Sequence, residues 1–197
     1  MNRRDKVELA VFGGLVAAGA LVRVSLTDLP NFAPVAAIAL FAGYFFRSRA
    51  MALFVPLAVM GISDFFIGSY DWQMMALVYG ALMLPVFARG MLRRWFSLDE
   101  GASALRASAG LLASSLGASI SFFAISNFGA WLWYGTYEHT VAGMMHCYVQ
   151  AIPFFRYTLA GDLFFAVALF GGYAVAMSFA ITTKALPNAI GECRSNS

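Results

Sequence analysis

The chain has 197 residues, of which 61% are hydrophobic and 12% are charged. Soluble domains carry roughly a quarter charged residues, so this composition excludes an ordinary soluble domain and predicts a helical membrane protein. The formal net charge of +3 then reflects how basic residues are distributed about the membrane, and it does not indicate nucleic-acid binding.

Long apolar runs, separated by clusters of charge, predict six transmembrane helices in a single domain that covers residues 1–197. A helix of about 20 apolar residues covers the roughly 30 Å hydrocarbon core of a bilayer. No clean cleavage site follows the first run, so an uncleaved helix fits it better than a signal peptide. We expect helices at residues 7–24, 33–46, 50–68, 73–88, 107–126 and 158–182.

The first predicted helix carries small residues at every fourth position, namely Ala10, Gly14 and Ala18. Such a stripe lets a second helix approach closely. Two interpretations are open: the stripe packs inside this protein, or it is a docking face for a partner subunit.

A rigid turn is predicted before the second helix, where Pro30 and Pro34 bracket Asn31. Proline fixes its own φ and disfavours helix in the residue before it. The helix at 33–46 is short for a full span, so we expect it to begin below the membrane surface. Asn31 would then be recessed.

Asp64 lies near the end of the third predicted helix, and Tyr70 lies in the turn that follows. An acidic residue inside a membrane segment is costly and marks a candidate functional site. The alternative interpretation is an aspartate at a helix end that reaches water.

Residues 127–157 are too polar and too aromatic to form another span. We expect an outer loop between the fifth and sixth helices, with a short extra helix at 141–152 that Pro153 ends. Arg156 and Asp162 lie six residues apart across a turn, which suggests an ion pair.

The aromatic residues of this loop include Trp131 and Tyr134. They could line a pocket for a flat or bulky ligand. Aromatic residues also gather at the headgroup level of membranes without binding anything, so both interpretations stay open.

His146 and Cys147 are adjacent and would point about 100° apart on a helix. Neither C-x-x-C nor H-x-x-x-H spacing occurs, so we expect no structural metal site and no resident cofactor. The two residues are weak candidates for contacting the metal of a bound ligand.

The basic residues predict the orientation. Cytoplasmic loops are enriched in Lys and Arg. With the N-terminus in the cytoplasm, all but Arg23 and Arg156 of the 13 Lys and Arg residues lie on the cytoplasmic side, so both termini are expected there.

In this orientation the candidate substrate-binding residues lie toward the outer face. They are Asn31, Asp64, Tyr70, Asn127, Trp131, Tyr134, Arg156 and Asp162. The chain carries no phosphate-binding G-x-x-x-x-G-K-[ST] loop and no G-x-S-x-G or H-E-x-x-H motif, so we do not expect an enzyme.

Several short motifs carry a resemblance to a family of small bacterial membrane proteins, a domain of unknown function described as transport proteins. That family is similar to the substrate-binding S components of energy-coupling-factor (ECF) vitamin transporters. The resemblance extends from about Arg23 to Tyr173. Its motifs are PNFAP at 30–34, ALFAG at 39–43, SD at 63–64, SNFGAW at 126–131, AIPFF at 151–155 and GD at 161–162.

The resemblance implies a six-helix, S-component-like bundle in the bacterial inner membrane. It also implies binding of a scarce vitamin or a cobalamin-like corrinoid at the outer face. Such proteins are surrounded by membrane lipid. They act either alone or with an ECF-type coupling subunit and two ATPases. In solitary cobalamin-binding relatives a cysteine can contact cobalt, and here the outer-side cysteine is Cys147.

A rival hypothesis is a structural or assembly protein of the inner membrane without a small-molecule ligand. Its aromatic residues would be interfacial belts, and its acidic residues would anchor helix ends. A less favoured hypothesis is a membrane enzyme that acts on a lipid or quinone, which would need a catalytic pair within about 3 Å.

Overall fold

A computed structural model describes residues 2–29, 31–68, 70–96 and 104–195, with side chains of the last range described for 105–179. Every regular element within these ranges is a helix, which confirms the all-helical fold class. The elements are α1 (Arg3–Ser25), α2 (Val35–Phe45), α3 (Arg49–Ile67), α4 (Trp72–Met83), a 3-10 helix (Leu84–Ala88), α5 (Arg89–Trp95), α6 (Ala104–Trp133) and α7 (Val141–Ser195).

Five helical stretches within the described residues are long and apolar enough to cross a membrane, which is compatible with a multi-pass membrane protein. They are α1, α3, the Trp72–Trp95 stretch that joins α4 to α5, α6 and α7. Pro85 lies where the Trp72–Trp95 stretch tightens into a 3-10 helix, because proline cannot donate a helical hydrogen bond. At 11 residues, α2 is apolar but shorter than these five, so the number of six transmembrane helices stays a prediction.

The short helix α2 lies at the centre of the bundle. Residues Val35 to Gly43 are all buried, and α2 packs against α3, α7, the 3-10 helix and α6. Asn31 precedes it with a φ of 62°, a left-handed conformation that asparagine tolerates better than most residues. Pro30, the other half of the predicted turn, lies outside the described residues.

Two arginines bind the carbonyl end of α2. Arg93 donates from Nη2 to the Phe46 carbonyl at 2.7 Å and from Nε to the Tyr44 carbonyl at 3.0 Å. Arg89 donates to the Arg47 carbonyl at 3.1 Å. The last carbonyls of a helix lack partners and carry partial negative charge, so these cations fix the end of α2 opposite Asn31.

The last helix differs from the prediction. α7 runs unbroken from Val141 to Ser195, so the expected short helix is its first turns, and Pro153 does not end it. Proline removes one helical hydrogen bond, but the turns before it are held on α6. Tyr148 donates its hydroxyl to the Ala124 carbonyl at 2.6 Å.

The predicted outer loop of residues 127–157 is wrong, because α6 continues to Trp133 and α7 begins at Val141, which leaves a short connection. Gly135 adopts a φ of 64° there, and Trp131 donates its Nε1–H to the Glu138 carbonyl at 2.9 Å. A Cβ on Gly143 would lie 2.1 Å from the Glu138 carbonyl oxygen, so glycine permits the close start of α7.

The small-residue stripe of α1 lies on the outside of the bundle. Ala10, Gly14 and Ala18 are exposed, and nothing lies within 4 Å of a Cβ added at Gly14. The close internal contact of α1 is made instead by Gly19, where an added Cβ would lie 2.6 Å from Ile38 Cδ1. Packing inside this protein therefore does not explain the stripe.

Replacing Gly43 by alanine should lower the thermal unfolding temperature in detergent. The added Cβ would lie 2.7 Å from the Val86 carbonyl oxygen, which is backbone and cannot rotate away. Overpacking of this kind typically costs about 1–3 kcal/mol.

Gly80→Ala in α4 is the matched control, because nothing lies within 4 Å of a Cβ added there. We expect an unchanged or higher unfolding temperature for the control, since alanine favours a helix over glycine by about 1 kcal/mol. Equal unfolding temperatures for the two variants would contradict the close packing of α2.

Candidate functional site

A cavity of about 530 Å³ lies at the end of the bundle where α2 begins. It exists because α2 is shorter than its neighbours, so the space beyond its first turn is enclosed by α1, α3, α4, α6 and α7. We call this end of the bundle the cavity end. Small-molecule sites commonly measure about 300–1,000 Å³, and this cavity falls within that range.

The lining combines apolar walls with a small number of polar groups. The walls include Phe32, Met60, Met74, Val78, Phe123 and Phe155. The polar lining residues include Arg23, Asn31, Tyr70, Asn127, Tyr134, Thr158 and Asp162. Such a mixture is typical of small-molecule pockets, in which apolar walls enclose a ligand and a few polar groups orient it.

The structure brings five of the eight candidate binding residues together, although they come from four separate parts of the chain. Those that line the cavity are Asn31, Tyr70, Asn127, Tyr134 and Asp162. The other three, Asp64, Trp131 and Arg156, are not part of the lining.

Asp64 does not line the cavity, but it holds one of the lining residues. Its Oδ1 forms an ion pair with Arg23, and its Oδ2 accepts a hydrogen bond from the Tyr79 hydroxyl at 2.6 Å. Asp64 is only 5% exposed, so it is not an aspartate at a helix end that reaches water. Its role is to fix the guanidinium of Arg23 at the cavity.

The sequence did not single out Arg23 or Tyr79 as site residues. Arg23 also contacts Ser63, whose Oγ lies 2.5 Å from Nη1. The available signal was that Arg23 is one of two basic residues outside the predicted cytoplasmic side. Its partner could not be read from the sequence because Asp64 lies on another helix.

Tyr70 faces the cavity from the connection between α3 and α4. Burial, together with the negative charge of Asp64, raises the pKa of Tyr70 to about 12, although the positive charge of Arg23 opposes the rise. The phenol therefore stays neutral near pH 7 and can donate a hydrogen bond to a ligand.

Asp162 is buried where α7 passes α6. It is 3% exposed, and its Oδ2 accepts a hydrogen bond from Ser119 Oγ at 2.6 Å. The predicted pairing with Arg156 is wrong. Because α7 continues through this region, residues six apart point about 120° apart around the helix axis. Arg156 is exposed and donates instead to the Tyr157 hydroxyl at 3.1 Å.

Trp131 belongs to the turn between α6 and α7. Its ring packs against Phe128 and His139, with centroids 5.6 and 5.5 Å away. These ring contacts and the hydrogen bond to the Glu138 carbonyl show that Trp131 stabilises the connection between α6 and α7. Trp131 does not belong to the cavity wall.

His146 and Cys147 also lie outside the cavity lining. His146 contacts the Gln150 amide at 3.1 Å, whereas Cys147 is buried with Sγ 3.5 Å from the Asn127 carbonyl. No group of three His, Cys, Asp or Glu residues that could hold a metal ion occurs in the part of the chain that the structure describes.

Either Arg23→Met or Asp64→Asn alone should strongly destabilise the protein. Removing one partner of a buried ion pair typically costs about 3–5 kcal/mol, because the other charge is left uncompensated. The double variant should lose less than the sum of the single losses, as measured by unfolding in mild detergent with added denaturing detergent.

Tyr79→Phe serves as the comparison because it removes one hydrogen bond, worth about 1 kcal/mol, and leaves the ion pair intact. Strictly additive losses for Arg23→Met and Asp64→Asn would contradict a direct interaction between the two side chains.

Comparison with known proteins gives one result. The model of a family of unknown function, DUF6580, matches residues 3–186. No curated protein and no solved structure matches the chain. The description of the family names no activity, substrate or partner. Since the match covers nearly the whole chain, the protein belongs to the family of unknown function DUF6580.

Proposed function

We propose that this protein binds a scarce small molecule at the outer face of the bacterial inner membrane for uptake. The observation that supports the proposal most is the cavity of about 530 Å³, where apolar walls surround polar groups from several helices. A protein that served only as a structural or assembly component would have no need for such a cavity.

The distribution of charge supports the proposed orientation. Four arginines lie at or near helix starts at the end of the bundle opposite the cavity. They are Arg3, Arg49, Arg89 and Arg106. Arg23 lines the cavity. Basic residues accumulate on the cytoplasmic side, so the cavity would open outward and both termini would lie in the cytoplasm.

The volume of the cavity favours a vitamin-sized molecule that would be largely enclosed. A corrinoid stays a candidate, but it is bulkier and would extend beyond the rim. Cys147 and His146 lie outside the cavity lining, so a corrinoid would not contact them through cobalt in this arrangement.

The exposed stripe of α1 supports the proposed partner. An ECF-type coupling subunit could lay one of its helices against Ala10, Gly14 and Ala18, since small residues allow close approach in a membrane. Two ATPases would then supply the energy, because this chain carries no phosphate-binding loop. Action without such a module is the alternative.

Ala151→Trp should abolish binding of the ligand that copurifies with the wild-type protein. Ala151 lines the cavity, so the indole would occupy part of the space that the ligand needs. Ala160→Trp is the control, because Ala160 is exposed on the same helix and does not line the cavity.

The measurement is native mass spectrometry of protein purified in lipid nanodiscs, with the unfolding temperature of each variant as a check on folding. The absence of any bound small molecule on the wild-type protein, or equal ligand occupancy in both variants, would contradict a binding function for the cavity and favour the structural or assembly role.

Gly14→Leu should prevent copurification with a coupling subunit without lowering stability, because the position is open to the lipid. Gly13→Leu is the control, since Gly13 is equally open but lies off the stripe. The partner is identified by mass spectrometry as a membrane protein accompanied by ATPases with phosphate-binding loops. Capture of this partner by both variants would exclude the stripe as its docking face.

A further inference from the structure

Two aspartates are buried at the cavity end, and their surroundings differ. The carboxylate oxygens of Asp64 bind Arg23 and Tyr79, so its charge is compensated. Asp162 is 3% exposed, and the hydrogen bond described for its carboxylate comes from Ser119 Oγ. Ser119 is a neutral donor, so it would not compensate a negative charge on Asp162.

The nearby cations are already engaged. Arg23 is held by Asp64 and Ser63, and Arg156 is exposed with its guanidinium 4.8 Å from the Tyr157 ring. Among the described side chains, neither ion pair includes Asp162. An ionised carboxylate inside a membrane segment is costly unless a proton or a cationic group neutralises it.

The position of Asp162 allows a ligand to supply that group. Asp162 lines the cavity, and so does Thr158, which lies one turn earlier on the same face of α7. The backbone of α7 at Gly161 lies against Phe32, since an added Cβ would meet the Phe32 ring at 3.3 Å. Phe32 also lines the cavity, so a ligand bound there would have an aromatic ring available to its cationic group.

We propose that Asp162 recognises a cationic nitrogen group, such as a protonated amine, on a ligand whose aromatic or alicyclic body fills the apolar part of the cavity. This inference rests on the proposed binding function and narrows its substrate class. An anionic group placed at Asp162 would bring like charges together in a region of low dielectric constant. A bare metal ion would find too few ligands, because no cluster of three metal-binding side chains occurs among the described residues.

The test uses three matched sets of vitamin-sized probes. They are aromatic or alicyclic amines, the same amines after N-acetylation, and the corresponding carboxylic acids. Dissociation constants are measured at pH 7 on the full-length protein in nanodiscs. We expect the amines to bind roughly tenfold to hundredfold more tightly than their acetylated forms, the range given by hydrogen bonds to charged groups.

Asp162→Asn keeps the size of the side chain and removes its charge, so the preference for amines should disappear. Asp28→Asn is the control, because Asp28 is exposed at the same end of the bundle and does not line the cavity; it should keep the preference. Ser119→Ala removes a hydrogen bond but keeps the carboxylate, so it should also keep the preference.

The outcomes separate the two proposals. Tighter binding of neutral or acidic probes to the wild-type protein, or an unchanged preference in Asp162→Asn, would overturn the role of Asp162 and leave the binding function standing. Failure of all three probe sets to bind the folded wild-type protein would also overturn the role of Asp162, and the copurification experiment would then decide the binding function separately. The comparison of amines with acetylated amines needs no variant, so it tests the preference for a cationic ligand even where Asp162→Asn does not fold.

Discussion

The length of α2 is the constraint on which the cavity depends. Its 11 residues cover about 16 Å at 1.5 Å per residue, roughly half of the hydrocarbon core of a bilayer. Arg89 and Arg93 bind its carbonyl end. The part of the bundle length that α2 does not cover therefore lies at its other end. The longer helices around α2 then enclose a space that α2 does not fill.

Charge is handled differently at the two ends of the bundle. At the carbonyl end of α2, arginines neutralise the partial negative charge of the helix. At the cavity end, one buried aspartate is neutralised by Arg23 and the other faces the cavity. The first arrangement fixes structure. The second leaves Asp162 at the cavity without a cationic partner among the described side chains, which is the basis of the proposed ligand contact.

Much of this arrangement could be predicted from the apolar runs and from the prolines and charged residues that separate them. The shortness of the second helix followed from the short predicted range 33–46 after the turn at Pro30 and Pro34. Gathering of Asn31, Tyr70, Asn127 and Tyr134 followed from placing them at one end of the bundle. These inferences needed only residue type and depth, which a sequence carries.

Long-range pairing could not be predicted in the same way. The contact of Arg23 with Asp64 joins residues 41 apart and depends on how α1 packs against α3. The predicted pairing of Arg156 with Asp162 failed because it required the helix to end at Pro153 and a turn to follow, whereas α7 is continuous there. The contact of Tyr148 with α6 keeps α7 continuous there, so tertiary packing outweighed the local signal of the proline.

The most direct test of a cavity that opens to the outside is labelling from one side of the membrane. In a background with Cys147→Ser and Cys193→Ser, Thr27→Cys places a thiol at the cavity and Gly90→Cys places one near the opposite end. A maleimide that cannot cross the membrane, added to intact spheroplasts, should label Thr27→Cys and should label Gly90→Cys only after permeabilisation. Labelling of Gly90→Cys alone in intact spheroplasts would contradict the account.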